Sequence, residues 1–356
     1  MRIQNADQTA SSWAAFAHKF REAVAENTDA PADVFSVGPV VSGTGDRFAG
    51  AVEAPGGTII FIPYSAGVVG RYDPATNTYS AGAVIAGSAR FQGGCLTDTG
   101  IVVMAPLLNP YIGLYDPVSD VLSEGPDLGA SPGFDGCCQA RNGEIVFAPR
   151  SAAQPLVYNL DSGGTRQIVG PGNGFSGCLP MPSGEVMLIP YSENYIWFVN
   201  PEDDSFRQGP FVSSVGAKFS GGAILHDGTV VFAVYSDNHV YTYDQKTGTV
   251  SNTVFVDFPQ NGMHRGAVVL PDGRVAFAPY DTGNVGIYNP ADASFDTVSA
   301  AAAAASLDAF HGCALAANGK AIFAPYDNDK VGILDTGTGQ GLPHAVRMSR
   351  YFNVGA

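Results

Sequence analysis

One unit recurs seven times along this 356-residue chain, and no other property limits its possible folds as sharply. The unit opens on a glycine in an F-x-G pattern, at Gly50, Gly93, Gly136, Gly177, Gly221, Gly266 and Gly312. A second glycine follows seven residues on, at Gly57, Gly100, Gly143, Gly184, Gly228, Gly273 and Gly319. An Asp or Asn lies 23 residues after the first glycine, at Asp73, Asp116, Asn159, Asn200, Asp244, Asn289 and Asp335. No insertion interrupts this core, whereas successive cores are 41 to 46 residues apart. A fixed period of this length marks a repeat architecture and overrides the two or three domains that length alone suggests.

Each core reads as three short strands, because apolar residues alternate with a period of two between clusters of turn residues. In the unit from Gly266, the first strand turns at Pro271, Asp272 and Gly273, and the second runs from Arg274 to Ala278. The glycine of that Asp-Gly pair supplies the positive φ of a tight hairpin. A proline then ends the second strand at Pro63, Pro106, Pro149, Pro190, Pro279 and Pro325, with Val234 in the remaining unit, since proline cannot donate to a ladder. A third strand leads to a Tyr-Asp or Tyr-Asn turn, and a fourth follows, as in Thr78 to Ile85, Val121 to Leu128 and Ser205 to Val212.

No fourth strand follows Asp335, but a matching segment, Val34 to Val41, precedes the first core. Its Gly38 lies 12 residues ahead of Gly50, the same interval as from Gly209 to Gly221. A displaced strand of this kind closes a ring and hides its edges. The sequence therefore predicts an all-β, seven-bladed β-propeller over residues 34–339, its last blade closed by an N-terminal strand.

Two segments flank the ring. Residues 1–33 are predicted to form a short amphipathic α-helix and a linker: Trp13, Phe16 and Phe20, with Ala17 and Val24, recur at helical spacing between Ser12 and Glu26. That helix either docks on another protein or packs back on the ring. Residues 340–356 form a tail carrying His344, Arg347 and Arg350. The alanine run from Ala300 to Ala305 favours a partly helical connection.

Composition excludes several partners. A formal net charge of −15 repels phosphate backbones, so nucleic acid is not expected. No run of 18 apolar residues is present to cross a bilayer, and the N-terminus lacks the apolar core of a signal peptide. Synthesis in the cytoplasm is expected, which a virion component would share. The five cysteines, Cys95, Cys137, Cys138, Cys178 and Cys313, an odd number without metal-type spacing, argue against both a disulfide framework and a zinc site and read as small buried thiols in tight positions. No metal and no cofactor are expected.

Ring geometry brings the loops before the first strands to the same face as those after the second strands. The former carry Arg47, Arg90, Asp135, Lys218, His264, Arg265 and His311; the latter carry Tyr64, Tyr191, Tyr235, Tyr280 and Tyr326, with Leu107 and Arg150 in the other two units. Basic residues near the axis suit a carboxylate or acidic sugar, and tyrosines suit stacking on a ring. The alternatives are charges paired with neighbouring acids and tyrosines packed between blades. No G-x-S-x-G or H-E-x-x-H motif is present, and no catalytic residue is assigned; His264 and His311 are the candidates for acid–base work.

The repeat F-x-G-x-x-L-x-x-D-G-x-V-x-F-x-P-Y followed by V-x-I-Y-D-P, over Val34 to Asp335, resembles a group of bacterial, phage and microbial-eukaryote propellers. More distantly it is similar to the streptogramin-lyase type of seven-bladed propeller, whose blades carry a comparable Asp-Gly turn. That family uses an acid–base histidine and a metal-binding carboxylate, which the resemblance places on no residue here. The Trp-Asp ends of WD40 blades and the sialidase S-x-D-x-G-x-T-W boxes are missing. The expectation is a non-enzymatic binding or structural propeller, such as a phage tail or head-fibre component. Its helix would attach to an assembly, and its head would contact a host surface, a glycan or an acidic small molecule. A metal-dependent lyase or lactonase at the channel mouth, and an intracellular protein-interaction scaffold, are the alternatives.

Overall fold

The computed structural model describes residues 32–43, 45–85, 90–255, 262–300 and 308–337. The helix expected around Trp13, Phe16 and Phe20, the tail from residue 340 and the alanine run beyond Ala300 lie outside the described residues. Within them, twenty-eight strands form seven four-stranded antiparallel sheets, with no helix. Six sheets are simple meanders. In the seventh, the strand Val34–Val40 lies on the outer edge, paired with Lys330–Asp335. Phe35 of that strand packs on Phe310 and Phe323, with ring centroids 5.9 and 6.2 Å apart. Arg274 of blade 6 holds the start of the strand through a two-pronged ion pair to Asp33, at 2.6 and 2.8 Å.

The F-x-G motif acts at one place in every blade. In the innermost strands the pairing register shifts between the motif's first residue and the residue after its glycine, as between Phe48 and Ala51 or Phe134 and Cys137. Two residues thus oppose one, which is a β-bulge. Its glycine takes a positive φ, for example 80° at Gly136, and touches the next blade: a Cβ on Gly136 would stand 2.8 Å from the Cα of Gly177. Only glycine allows both the conformation and the approach.

The bulge separates two roles. The motif's first residue stays in the blade core, where Phe48 packs on Phe61 at 5.6 Å and Phe219 on Phe232 at 4.8 Å. The middle residue turns toward the axis. His264 stands in the phenylalanine slot of blade 6, buried against Phe277 and Phe295 at 5.6 and 6.4 Å and seated over Gly286 as Phe48 sits over Gly70. It is a core residue of its blade and does not join the residues at the ring axis.

Backbone hydrogen bonds join the blades into a hoop. The residue three places before each glycine donates its N–H to the carbonyl of the preceding blade's residue after the proline position, and accepts from the equivalent N–H of its own blade. The circuit runs Arg47, Tyr64, Arg90, Leu107, Gly133, Arg150, Gly174, Tyr191, Lys218, Tyr235, Met263, Tyr280, Ala309, Tyr326 and back to Arg47, through bonds of 2.5–3.2 Å.

Two consequences are measurable. Gly136→Ala places a methyl group against the Gly177 backbone and should lower stability by about 2–4 kcal/mol, the sum of overpacking and a positive-φ penalty. Gly67→Ala, with open space around it, should change stability by less than about 0.5 kcal/mol in the same urea titration; equal effects would refute the packing account. Burial, partly offset by hydrogen bonds with the Asn284 and Val234 backbones, takes the His264 pKa from 6.5 down to about 3. The folded pKa is depressed, so the unfolded chain binds a proton that the folded chain excludes. Stability is therefore full above the unfolded value and falls as pH drops through the window between the two. The stability advantage of His264→Phe over wild type should grow by about 2 kcal/mol between about pH 7.5 and pH 5. Parallel pH curves would show that His264 is not held neutral.

Candidate functional site

The residues after the second strands form a girdle around the ring axis. Five tyrosines make a continuous arc: ring centroids are 5.7 Å apart between Tyr191 and Tyr235, and 6.1 Å between Tyr235 and Tyr280. The arc continues at 5.8 Å from Tyr280 to Tyr326 and 5.4 Å from Tyr326 to Tyr64. The arc is open at Leu107 and Arg150, the girdle residues of blades 2 and 3. Arg150 closes one side by lying over the Tyr191 ring, 3.3 Å from its centroid, and Arg90 approaches the Tyr64 ring at 5.6 Å on the other. Stacking of guanidinium on tyrosine faces is attractive because the ring quadrupole is negative there.

Beneath the girdle lie the axis residues: Ala49, Gln92, Asp135, Ser176, Ser220, Arg265 and His311. Contacts across the ring show that several of them meet. Ala49 of blade 1 packs with Tyr280 and Tyr326 of blades 6 and 7. Ser176 donates to Asp135 Oδ2 at 2.8 Å and stands 3.4 Å from the Ser220 hydroxyl, so three consecutive blades share one polar cluster. Arg150 adds an ion pair to the same Asp135 oxygen at 3.3 Å.

Arg265 enters the tyrosine arc from below. Its guanidinium carbon lies 4.1 Å from the Tyr280 centroid and 4.9 Å from that of Tyr235, and Nη2 donates to the Tyr235 hydroxyl at 3.1 Å. Its Nε is buried without a partner, and it forms no ion pair among the described residues. His311, buried beside it, sets its ring edge-on to Tyr326 and Tyr280 at 5.5 and 6.1 Å. Burial, reinforced by the charges of Arg265 and Arg150, pushes the His311 pKa well below 6.5, so the imidazole is neutral near pH 7. Its Nδ1 is buried without a hydrogen-bond partner. Carboxylates also stand near the girdle: the Tyr280 hydroxyl is hydrogen-bonded to Asp308 and that of Tyr326 to Asp46.

Of the basic residues singled out in the sequence, the structure brings Arg265 and His311 to the axis and Arg90 to its edge. Arg47 and Lys218 go elsewhere. Lys218, fully buried, donates through Nζ to the carbonyls of Glu193 and Tyr191 at 2.6 and 3.3 Å. Arg47 donates to the carbonyls of Gly43, Gly45 and Asn328 at 3.0, 3.1 and 3.1 Å. Lys218 clamps the loop of the preceding blade, Arg47 ties the segment leading into its own blade to that of the preceding one, and the charges of both are absorbed by carbonyl dipoles. Sequence reasoning passed over Arg150, whose signal was its replacement of tyrosine in the girdle, and Ser176 and Ser220. No three His, Cys, Asp or Glu side chains among the described residues are grouped to hold a metal ion.

No protein-family model matches the chain, and no curated protein sequence matches it. Solved structures do match in shape. A streptogramin B lyase superposes with a TM-score of 0.74 at 16% identity, over 85% of this chain and 97% of the lyase. A catalytically inactive histidine-to-alanine variant of virginiamycin B lyase from Staphylococcus aureus, with quinupristin, gives a TM-score of 0.71 at 12% identity, over 85% and 99% of the two chains. A fungal alcohol oxidase in complex with copper gives 0.65 at 12% identity, over 85% of this chain and 76% of the oxidase. At such identities the likeness is one of fold, shared by proteins of different activity. The affinity to phage propellers inferred from the repeat finds no support in these comparisons. The chain is a seven-bladed β-propeller similar in shape to the streptogramin lyases.

Proposed function

We propose that the chain is a binding propeller whose channel mouth takes a small organic anion, a carboxylate attached to a flat ring. One observation carries this reading: Arg265 lies among tyrosine faces with a single neutral hydrogen-bond partner and no ion pair among the described residues. Removing a guanidinium from water costs several kcal/mol, which the two tyrosine faces, the Tyr235 hydroxyl and the more distant Asp135 carboxylate offset. A carboxylate accepting two of its N–H groups would add the ion pair that Arg265 does not have among the described residues, and the tyrosine arc would hold the attached ring. Ligand recognition fits the expectation of an acidic small molecule or acidic sugar. Attachment through residues 1–33 to a larger assembly, such as a virion, belongs to the same proposal and rests on the sequence alone.

A second reading follows from the lyase-like shape and the neutral His311 beside two guanidiniums. In it, His311 is the proton acceptor of an elimination or lactone-opening reaction whose anionic intermediate Arg265 stabilises. Turnover abolished by His311→Ala, with binding retained, would favour it.

Isothermal titration of the full chain with benzoate, galacturonate and inorganic phosphate tests the binding reading. Benzoate should bind, galacturonate should bind only if the attached ring can be a sugar, and phosphate should bind least. Arg265→Gln should weaken binding by about 10- to 100-fold, the value of a charged hydrogen-bonded pair, while Arg207→Gln on an outer strand should leave it unchanged. Equal affinity of Arg265→Gln and wild type, or no heat from either organic acid, would dispose of the proposal.

A further inference from the structure

We infer that four of the five cysteines form two intramolecular disulfide sites, Cys95 with Cys137 and Cys138 with Cys178, which an oxidant converts into a covalent chain across blades 2, 3 and 4. All five cysteines are free and buried in the structure. The Cys137 sulfur lies 3.4 Å from that of Cys95, and the Cys178 sulfur 3.3 Å from that of Cys138. A disulfide needs about 2.05 Å, and small side-chain rotations at facing positions can close a gap of this size.

The pairing follows from the register of the ring. The residue two places after the glycine in one blade faces the residue one place after it in the next blade. The same offset relates Ala223 to Ala267, Ala314 to Ala51 and Val268 to Cys313, each pair sharing one core cluster. Cysteine therefore meets cysteine at two consecutive interfaces, and Cys313 meets a valine. Cys137 and Cys138 are neighbours on one strand and point to opposite sides of it, so their partners cannot be exchanged. The odd cysteine count, which in the sequence argues against a disulfide framework, resolves into two pairs and one unpaired thiol.

Burial and the neighbouring sulfur push the Cys137 and Cys138 thiols well above their usual range. Exchange requires thiolate, so the closed ring reacts slowly and the bridges form while the chain folds or opens locally. With oxidised glutathione the step balances. A cysteine thiolate attacks the glutathione disulfide and releases one glutathione thiolate, and its partner, after losing its proton to solvent, displaces the second. Two electrons pass from the protein sulfurs to glutathione for each bridge.

The full chain is unfolded and refolded in buffers rich in either reduced or oxidised glutathione, then alkylated under denaturing conditions and mapped by mass spectrometry. Oxidative refolding should lower the mass by about 4 Da. It should also leave only Cys313 open to alkylation and link the peptides of Cys95 with Cys137 and of Cys138 with Cys178. Tm should rise by about 5 °C or more, reversibly with dithiothreitol, because each bridge closes a loop of some forty residues. Cys137→Ser should keep the Cys138 to Cys178 bridge alone, and Cys313→Ser should keep both. Diamide added to the native protein should produce the same pairs more slowly. Five alkylated cysteines after both treatments, or bridges that include Cys313 or join Cys137 to Cys138, would overturn the inference.

Discussion

The hoop of backbone hydrogen bonds between neighbouring blades is the constraint on which the rest of the molecule depends. Two bonds per blade over seven blades give fourteen, and the circuit returns to its origin at Arg47 and Tyr326. Each bond contributes only about 0.5–1.5 kcal/mol net, but a buried backbone group left without a partner costs about 1–3 kcal/mol. A ring with one blade missing or out of register would leave such groups exposed at two ends. The hoop therefore ties the number of blades to the completeness of each, including the seventh, whose outer strand comes from Val34–Val40.

The hoop and the bulge together decide what each side chain near the motif can do. Residues in the hoop before the glycine have their backbones committed to the preceding blade, so their side chains lie against that blade's loop. Arg47 and Lys218 consequently become clamps on carbonyl oxygens. One residue further on, the first position of the motif is held in the sheet, and its side chain fills the blade core. The next is turned by the bulge to the axis, where residues from non-adjacent blades meet. Girdle residues, also in the hoop, are fixed in a circle whose centroid spacings of 5.4–6.1 Å suit tilted aromatic contacts.

Much of this was legible in the sequence, and the remainder was hidden for a definable reason. Gly, Asp-Gly and Pro at constant intervals state turns and strand ends, which are local properties of the backbone. Placement on the axis is not local, because it depends on a bulge that breaks the period of two on which side-chain direction is read. The basic residues ahead of the glycines accordingly looked equivalent, although Lys218, His264 and Arg265 occupy a clamp, a core slot and the axis. One signal was available: His264 replaces phenylalanine in F-x-G, and a residue in that slot shares the environment of Phe48 and Phe310. Arg150 carried the opposite signal, a charge in a tyrosine position. The cysteine pairs were beyond sequence reasoning, since their contact depends on the offset of one residue between neighbouring blades.

Charge reconciles the local site with the acidic whole. A net charge of −15 opposes the approach of an anionic ligand from a distance. At physiological ionic strength, however, the Debye length is about 8 Å, so acids on the outer strands act weakly on a ligand at the axis. What acts there is the immediate set: Arg265, Arg150 and Arg90 against Asp135, whose one oxygen already accepts from Ser176 and Arg150, together with Asp46 and Asp308 on the girdle tyrosines and Asp281 beside them. On the proposed binding reading, desolvation strengthens those local terms while the surrounding acidity weakens long-range attraction, so that size would count as well as sign. A polyanion such as nucleic acid would have to bring many charges over the acidic exterior. A compact monoanion would bring one charge to Arg265, which donates to the Tyr235 hydroxyl and forms no ion pair among the described residues.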